Sequence, residues 1–208
     1  MRRTLVAIIL LLAAGAAVWG LGIQTPPGPR SARNFDPDRL ADLEVDMWRS
    51  YYERENVALF KSLLIALREQ FHYPWSKAGR AGYHLARAAA DFGKATDNYE
   101  RVLPDLEAAY TISREWTGAG FDPNQVARAE LAWWVARRDP AQRDPANVGR
   151  LISVVYARFY ELPEEKVRQA GLLRAQAANL RDRGGVNPNW GEVSRLLHES
   201  YRSLRAAL

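Results

Sequence analysis

The sequence contains no cysteine. Disulfide bridges, thiol catalysis, iron–sulfur ligation, covalent haem attachment through cysteine and lipid attachment to a cysteine are therefore excluded for this chain. The absence does not fix the compartment, because a helical domain from a chain of 208 residues can bury a stable core without disulfides.

Four other patterns are also missing. There is no G-x-S-x-G elbow and no phosphate-binding glycine-rich loop, which are common signatures of hydrolases and nucleotide-binding proteins. No sustained alternation of apolar and polar residues is bounded by turns, so no β-strand is predicted. No basic run is longer than a pair, and Arg2, Arg3 and Arg30 supply three of the five net positive charges. Binding to nucleic acid is therefore not expected.

The residues that are present are typical of a folded domain. A hydrophobic content of 48% with a charged content of 25% is ordinary for a globular protein and not for a disordered one. The seven tryptophans are many for this length. Because aromatic side chains dominate both cores and interfaces, the tryptophans are candidates for either role.

The N-terminus predicts a transmembrane anchor over residues 1–23. Met1-Arg2-Arg3 precedes a charge-free apolar run from Leu5 to Ile23, and about 20 residues suffice to span a bilayer as a helix. Trp19 lies near the far end, where an indole suits the boundary between lipid and water. The anchor residues predicted from this run are Leu5, Ile8, Leu11 and Trp19.

The same residues fit a second interpretation, a cleaved secretory signal. A basic start, the apolar stretch Leu5–Ala13 and the small residues Ala14 and Ala16 have the order of such a signal. We favour the uncleaved anchor, because the apolar run continues past this cleavage motif. Both interpretations place the following domain in the periplasm or outside the cell.

Residues 24–35 predict a linker between the anchor and a folded domain over residues 36–208. The linker contains Pro26-Pro27-Gly28-Pro29, which is too rich in proline for a helix or a sheet. Such a segment is stiff and extended, so it is expected to hold the domain a short distance from the membrane.

One long helix from Asp36 to Phe71 is predicted as the centre of this domain. Asp36 suits the capping position, and Pro37 suits the first helical position, where a missing N–H costs nothing. The segment Val57–Leu67 is apolar on nearly all sides, so later helices are expected to cover it. His72-Tyr73-Pro74-Trp75 is expected to end the helix.

Proline residues at helix starts place the helices that follow. The starts are Asp122-Pro123, Asp144-Pro145, Leu162-Pro163 and Asn187-Pro188, which predict helices near 123–138, 145–161, 163–182 and 189–206. Between Lys77 and Trp116 the pattern predicts two helices, or one helix kinked near Pro104. The predicted fold is all-α: a single transmembrane helix, then a bundle of about six or seven helices around the long central one.

Few residues could carry chemistry. Glu69-x-x-His72 has the spacing of one carboxylate–imidazole pair of a di-iron bundle, but the chain offers no second pair. His84, amid small residues, is a weak candidate for a haem ligand. Glu44 and Glu130 lie near apolar stripes, where burial would raise their pKa values unless arginines pair with them. No catalytic, cofactor or metal residue is therefore assigned.

The most unusual surface candidate is Trp133-Trp134-Val135-Ala136-Arg137-Arg138. Adjacent residues on a helix point about 100° apart, so one narrow stripe cannot bury both indoles. Tryptophan and arginine are enriched at binding hot spots, so Trp133, Trp134, Arg137 and Arg138 are the predicted protein-interaction residues. Two other interpretations stay open: a patch resting on lipid headgroups, and a thick core that buries both indoles.

The leading hypothesis is a non-enzymatic, membrane-anchored accessory or scaffold subunit. It would bind other proteins of a membrane or envelope complex, or a second copy of itself, and needs no cofactor. The alternative is a helical bundle that binds a metal, haem or small apolar ligand in its core through Glu44, Glu69, His72, His84 and Glu130. A hydrolytic enzyme is a third class, for which the sequence indicates no substrate.

Overall fold

The computed structural model describes residues 2–208, without the side chains of residues 2–7. Over this range the chain is helical and has no strand, so the all-α prediction is confirmed. A single π-helical turn spans Ala66–Gln70, and a 3₁₀ turn spans Tyr99–Val102. The α-helices of the described residues are α1 (Arg2–Gln24), α2 (Pro37–Glu53), α3 (Asn56–Ile65), α4 (Trp75–Lys94), α5 (Leu103–Thr117), α6 (Pro123–Arg138), α7 (Pro145–Tyr160), α8 (Glu164–Arg183) and α9 (Trp190–Ala207).

The last four helices begin and end within one residue of their predicted bounds. Asp122 accepts a hydrogen bond from the backbone N–H of Asn124, and Asp144 accepts one from Asn147, so each aspartate caps the helix that its proline begins. These starts were predictable because a cap and its acceptor lie within one turn of the chain.

The predicted single central helix is wrong. The chain breaks at Arg54, whose backbone is left-handed (φ 61°), and resumes as α3. No residue of α3 is buried, and Val57 is 86% exposed. The segment Val57–Leu67 therefore lies at the edge of the domain between α2 and α4, and only its end, within the π turn, is buried. The prediction that this segment forms the centre of the bundle, made because it is apolar on nearly all sides, is therefore not met.

The observed core lies inside a closed ring of helices. From α4 to α9 each helix packs against the next, α9 packs against α2, and α3 packs against both α2 and α4. Helices α7 and α8 pack closely where Gly149 and Gly171 face each other. Large side chains of the main core are Phe35, Leu40, Leu43, Trp133, Ile152, Val167, Val193, Leu197 and Leu204.

The region between Lys77 and Trp116 forms two helices, as one of the two predicted alternatives had it. The break lies at Ala95–Asn98, where Asn98 is left-handed (φ 44°), and not at Pro104. Pro104 stands in the first turn of α5, which tolerates proline.

The linker over residues 24–35 packs onto the domain and is not a free spacer. Phe35 is 3% exposed, and Ala32 is also buried. Arg33 donates a hydrogen bond to the backbone carbonyl of Tyr160, and the guanidinium of Arg30 lies over the ring of Trp116. Apolar and arginine side chains thus hold a segment whose prolines indicated only stiffness.

Helix α1 extends away from this ring with its apolar side chains uncovered. Ile8 is 54% exposed, Leu11 73% and Trp19 72%, while the side chain of Leu5 lies outside the described residues. In the part of the chain that the structure describes, no helix has both the length and the apolar character that crossing a membrane requires. The transmembrane anchor stays a prediction.

Candidate functional site

The two adjacent tryptophans of α6 point in different directions, as the helical geometry requires. Trp133 is buried in the main core, and the guanidinium carbon of Arg174 lies 5.0 Å from the centre of its ring. Trp134 is half-buried and packs edge-on against Phe92, with 5.1 Å between ring centres. Its Nε1 donates a 2.9 Å hydrogen bond to Glu130. Only Trp134 therefore lies close to the surface.

Arg137, one turn further along α6, is held in a polar cluster. Its Nε donates to Asp182 Oδ2 and its Nη2 donates to Asp182 Oδ1, both at 2.9 Å. Its Nη2 also donates to the hydroxyl of Tyr52 at 2.6 Å, and the guanidinium lies over the ring of Trp48. Burial is the main cause that raises the pKa of Tyr52, so this hydroxyl stays protonated at neutral pH.

Arg138 covers the aromatic rings of Phe92 and Tyr99. Its guanidinium carbon lies 3.9 Å from the ring centre of Phe92 and 5.7 Å from that of Tyr99. Its Nη1 donates to the carbonyl of Ala95 at 2.9 Å, which also joins the end of α6 to the end of α4. Cation–π contacts and hydrogen bonds therefore fix the position of this exposed arginine.

These groups form one surface, which we call the aromatic–arginine surface and define by Tyr51, Tyr52, Tyr99, Trp134, Arg137 and Arg138. Tyr51 is 42% exposed and lies against Gly93, whose carbonyl accepts a hydrogen bond from Arg138, so the two halves are continuous. Gly93 and Trp75 stand at opposite ends of α4, about 27 Å apart.

The aromatic–arginine surface contains three of the four predicted interaction residues. Trp134, Arg137 and Arg138 lie on it, whereas Trp133 belongs to the core. The sequence interpretation missed Tyr51 and Tyr52, although two adjacent tyrosines near the end of a helix resemble the two adjacent tryptophans that it singled out. Whether the surface binds another protein stays a prediction.

Glu44 lies in the core and forms a buried ion pair. It is 3% exposed, and its Oε1 accepts hydrogen bonds from Arg174 Nε at 2.9 Å and Nη2 at 2.5 Å. Its Oε2 accepts a 2.5 Å hydrogen bond from the hydroxyl of Tyr201. Burial, followed by the charge of Glu44, raises the pKa of Tyr201 well above its usual range. Both carboxylate oxygens are thus engaged within the protein.

Glu130 is satisfied in a different way. Its Oε1 accepts from Trp134 and its Oε2 accepts from the hydroxyl of Tyr110 at 3.2 Å. Burial is the main cause that raises the pKa of Tyr110 well above its usual range, and the charge of Glu130 adds to the effect. The carboxylate of Glu130 therefore ties α5 to α6 beneath the aromatic–arginine surface.

Glu69 and His72 do not face a common site. Glu69 pairs with Arg39 at 3.2 Å on the surface. A ring nitrogen of His72, Nε2, lies 2.9 Å from the carbonyl of Asn34, and its left-handed backbone (φ 58°) marks the end of the π turn. Among the described residues, no three histidine or carboxylate side chains come together in a way that could hold a metal ion.

His84 lines an open cavity of about 410 Å³ between α4 and α5. Its Nδ1 lies 2.8 Å from Asp105 Oδ1, and Arg87 Nε donates to Asp105 Oδ2 at 2.6 Å. Burial of Asp105 raises its pKa, but the hydrogen bonds from Arg87 and His84 outweigh burial and hold the pKa below its usual value. Asp105, which is held by Arg87, therefore orients the imidazole of His84.

Replacing Asp105 with asparagine is expected to lower the free energy of unfolding by about 1–2 kcal/mol at pH 7, since charged hydrogen bonds are lost. The pKa of Asp105 is lower in the folded state than in the unfolded state. Its contribution is therefore complete above about pH 5, begins to fall near the unfolded pKa, and is lost as the pH falls through the folded pKa. Urea unfolding from pH 7 to pH 3 measures this: the gap between wild type and variant should narrow in acid. A gap that is constant with pH would contradict the prediction.

Comparison of the chain with protein-family models, with curated proteins and with solved structures finds no match. The function therefore has to be inferred from the aromatic–arginine surface and from α1.

Proposed function

We propose that this protein is a non-enzymatic, membrane-tethered accessory or scaffold subunit that binds other proteins of an envelope complex. In this proposal α1 is the tether, and the ring of helices is the folded part that the tether holds at the membrane. The aromatic–arginine surface is where a partner protein binds.

The observation that carries the proposal is the exposure of α1. Eight of its large apolar side chains are exposed, from Ile8 at 54% to Leu11 at 73%, and they point to all sides of the helix. A helix that is apolar all round and leaves most of its length uncovered by its own domain needs a nonpolar environment to cover it. A bilayer provides that environment on every side, which supports the tether.

The charges at the start of the chain support an orientation. Arg2 and Arg3 lie directly before the apolar run, whereas on its other side the first arginine, Arg30, comes seven residues after Ile23 and is followed by Arg33 and Arg39. Positive charges next to a membrane helix favour the cytoplasmic side, so the adjacent pair supports a cytoplasmic N-terminus against these more distant arginines. The domain that follows α1 would then stand on the other side of the membrane, in the periplasm or outside the cell.

The position of the aromatic–arginine surface supports the binding role. Tyrosine, tryptophan and arginine are the residue types enriched at binding hot spots. The surface lies near the C-terminal end of α4. Gln24, the last residue of α1, contacts Ser76 near the N-terminal end of α4. A tether at one end and an aromatic surface at the other would let the domain reach a partner that stands off the membrane.

Replacing Leu11 and Leu12 with arginine is expected to move most of the protein from the membrane fraction to the soluble fraction. Each arginine costs about 2.5–3.5 kcal/mol at the centre of a membrane helix, so two of them outweigh the apolar residues that remain. Fractionation of cells with an alkaline wash measures the location. Cross-linking and affinity purification from detergent-solubilised membranes identify the proteins that accompany the wild-type chain.

Two control variants separate the parts of the proposal. Val186→Arg changes a residue that is 94% exposed in the loop before α9 and should leave the location unchanged. Tyr51→Ala should stay in the membrane but lose its partner proteins, by about tenfold if Tyr51 is a hot spot of about 1.4 kcal/mol. A wild-type chain that is soluble, or that leaves the membrane as a free monomer, would contradict the proposal. Recovery of only a second copy would make the partner this chain itself.

A further inference from the structure

The chain between α3 and α4 forms a tip that lies beside the end of α1. The π turn and the segment after it reverse the chain, so that α3 and α4 pack together as a hairpin. At the tip, the hydroxyl of Ser76 donates a 2.9 Å hydrogen bond to the side-chain oxygen of Gln24, the last residue of α1. The tip is therefore fixed next to the point where α1 meets the domain.

Arg68 joins the tip to α1 and also covers an indole. Its Nη1 donates to the carbonyl of Thr25 at 2.9 Å and to the carbonyl of Tyr73 at 3.0 Å. Its guanidinium carbon lies 5.0 Å from the ring centre of Trp75, which is 46% exposed. The exposed surface of the tip is thus an arginine stacked on a tryptophan.

The tip has a rigid base. Tyr73 is 2% exposed, and its hydroxyl donates a 2.5 Å hydrogen bond to the hydroxyl of Ser113 in α5. Burial raises the pKa of Tyr73 to about 12, so this hydroxyl keeps its proton at neutral pH. Pro74, between Tyr73 and Trp75, is also fully buried. Trp75 therefore cannot turn inward without disrupting the packing beneath it.

We propose that Trp75 and Arg68 form a second membrane contact, in the headgroup layer where α1 leaves the bilayer. This inference rests on the proposed tether. An indole combines an apolar body with an N–H donor, which suits the boundary between lipid and water, and a guanidinium binds headgroup phosphates. Together with α1, the contact fixes how the domain stands on the membrane.

The spacing along α1 favours lipid as the occupant of this surface. Trp19 precedes Gln24 by five residues, which is about 7.5 Å along a helix axis. The headgroup layer on one side of a bilayer is roughly 5–8 Å thick. Trp19 at the inner edge of this layer would therefore place Gln24, and Trp75 beside it, at the outer edge. A partner protein on Trp75 would have to occupy the same narrow layer.

The absence of cysteine allows a direct test by single-cysteine labelling of the full chain. The variants Trp75→Cys and Val186→Cys are labelled with the fluorophore NBD and reconstituted into vesicles of phosphatidylethanolamine with phosphatidylglycerol as the minor lipid. We expect a nitroxide on the upper part of the lipid chain to quench part of the emission at position 75, which would lie in the headgroup layer, and almost none at position 186. Iodide in the water should quench the two positions in the reverse order.

A further variant guards against loss of folding at position 75. Gly79→Cys lies one turn after Trp75 on α4 and keeps the indole, and its added Cβ atom would have no neighbouring side chain within 4 Å. Its label should also be quenched from the lipid, less strongly than the label at position 75.

The outcomes distinguish the inference from the proposed function. If the chain floats with the vesicles but iodide quenches positions 75 and 79 as strongly as position 186, the second contact does not exist while the tether holds. If the chain does not float, the tether itself fails. If the labels at positions 75 and 79 are shielded in native membranes but not in pure lipid, a partner protein covers the tip, and the lipid assignment is overturned.

Discussion

Replacing Glu44 with alanine is expected to lower the free energy of unfolding by about 3–5 kcal/mol, because it leaves the charge of Arg174 buried without a counterion. The side chain of Arg174 is 17% exposed, and its guanidinium lies between Glu44 and the indole of Trp133. The hydroxyl of Tyr201 loses its acceptor at the same time.

Urea unfolding of the full chain in a mild detergent, followed by circular dichroism, measures this loss. Glu69→Ala is the matched control, because it breaks an exposed pair with Arg39 and should cost no more than about 1 kcal/mol. The double replacement Glu44→Leu with Arg174→Met should recover most of the stability, since an apolar pair of similar volume needs no counterion. A Glu44→Ala variant as stable as Glu69→Ala would contradict the buried ion pair.

The part of the fold that could be predicted from the sequence is the part whose causes are local. Asp122-Pro123 and Asp144-Pro145 gave correct helix starts because a cap, a fixed φ and the first N–H groups lie within a few residues of one another. The all-α class followed in the same way, from apolar periods along single segments.

The placement of α3 could not be predicted in this way. Its residues are apolar on nearly all sides, which indicates that they favour nonpolar contacts. This property does not indicate which helices pack against them. The break at Arg54 has no glycine or proline to signal it, and a left-handed backbone is uncommon for arginine. The predicted helix Asp36–Phe71 therefore continued through Arg54, where no local sequence signal indicates the turn.

The candidate site was predictable to the same extent. The angle of about 100° between neighbouring residues showed that Trp133 and Trp134 must face different surroundings. It could not show that Arg137 would meet Tyr52 and Asp182, which lie 85 and 45 residues away along the chain. Contacts between residues so far apart depend on which helices pack together. That arrangement could not be inferred from a single sequence.

The buried carboxylates illustrate the same limit. The sequence indicated that Glu44 and Glu130 lie near apolar stripes and that arginine could pair with them. The structure pairs Glu44 with Arg174, 130 residues later, but gives Glu130 a tyrosine and a tryptophan. Both carboxylates hold helices together at points where a catalytic interpretation had also been open.

Replacing Gly171 with alanine is expected to lower the free energy of unfolding by about 3 kcal/mol, because it forces apart the closely packed helices α7 and α8. A Cβ atom at position 171 would fall on the side-chain oxygen of Ser153 and on the carbonyl oxygen of Gly149, and it would lie 2.9 Å from the backbone nitrogen of Ser153. At Gly149 the added atom would lie 2.7 Å from the Cα of Leu172. Most of these atoms belong to backbone, so no side-chain rotation relieves the clash.

Gly79→Ala is the matched control for this change, because it adds the same methyl group to a helix. At position 79 the added Cβ atom would have no neighbouring side chain within 4 Å. It should raise the free energy of unfolding by about 0.5–1 kcal/mol, since alanine favours the helix more than glycine does. Urea unfolding of both variants beside the wild type therefore separates helix propensity from helix packing. If Gly171→Ala were as stable as Gly79→Ala, α7 and α8 would not approach as closely as described, and the ring that positions the aromatic–arginine surface would be wrong at its tightest point.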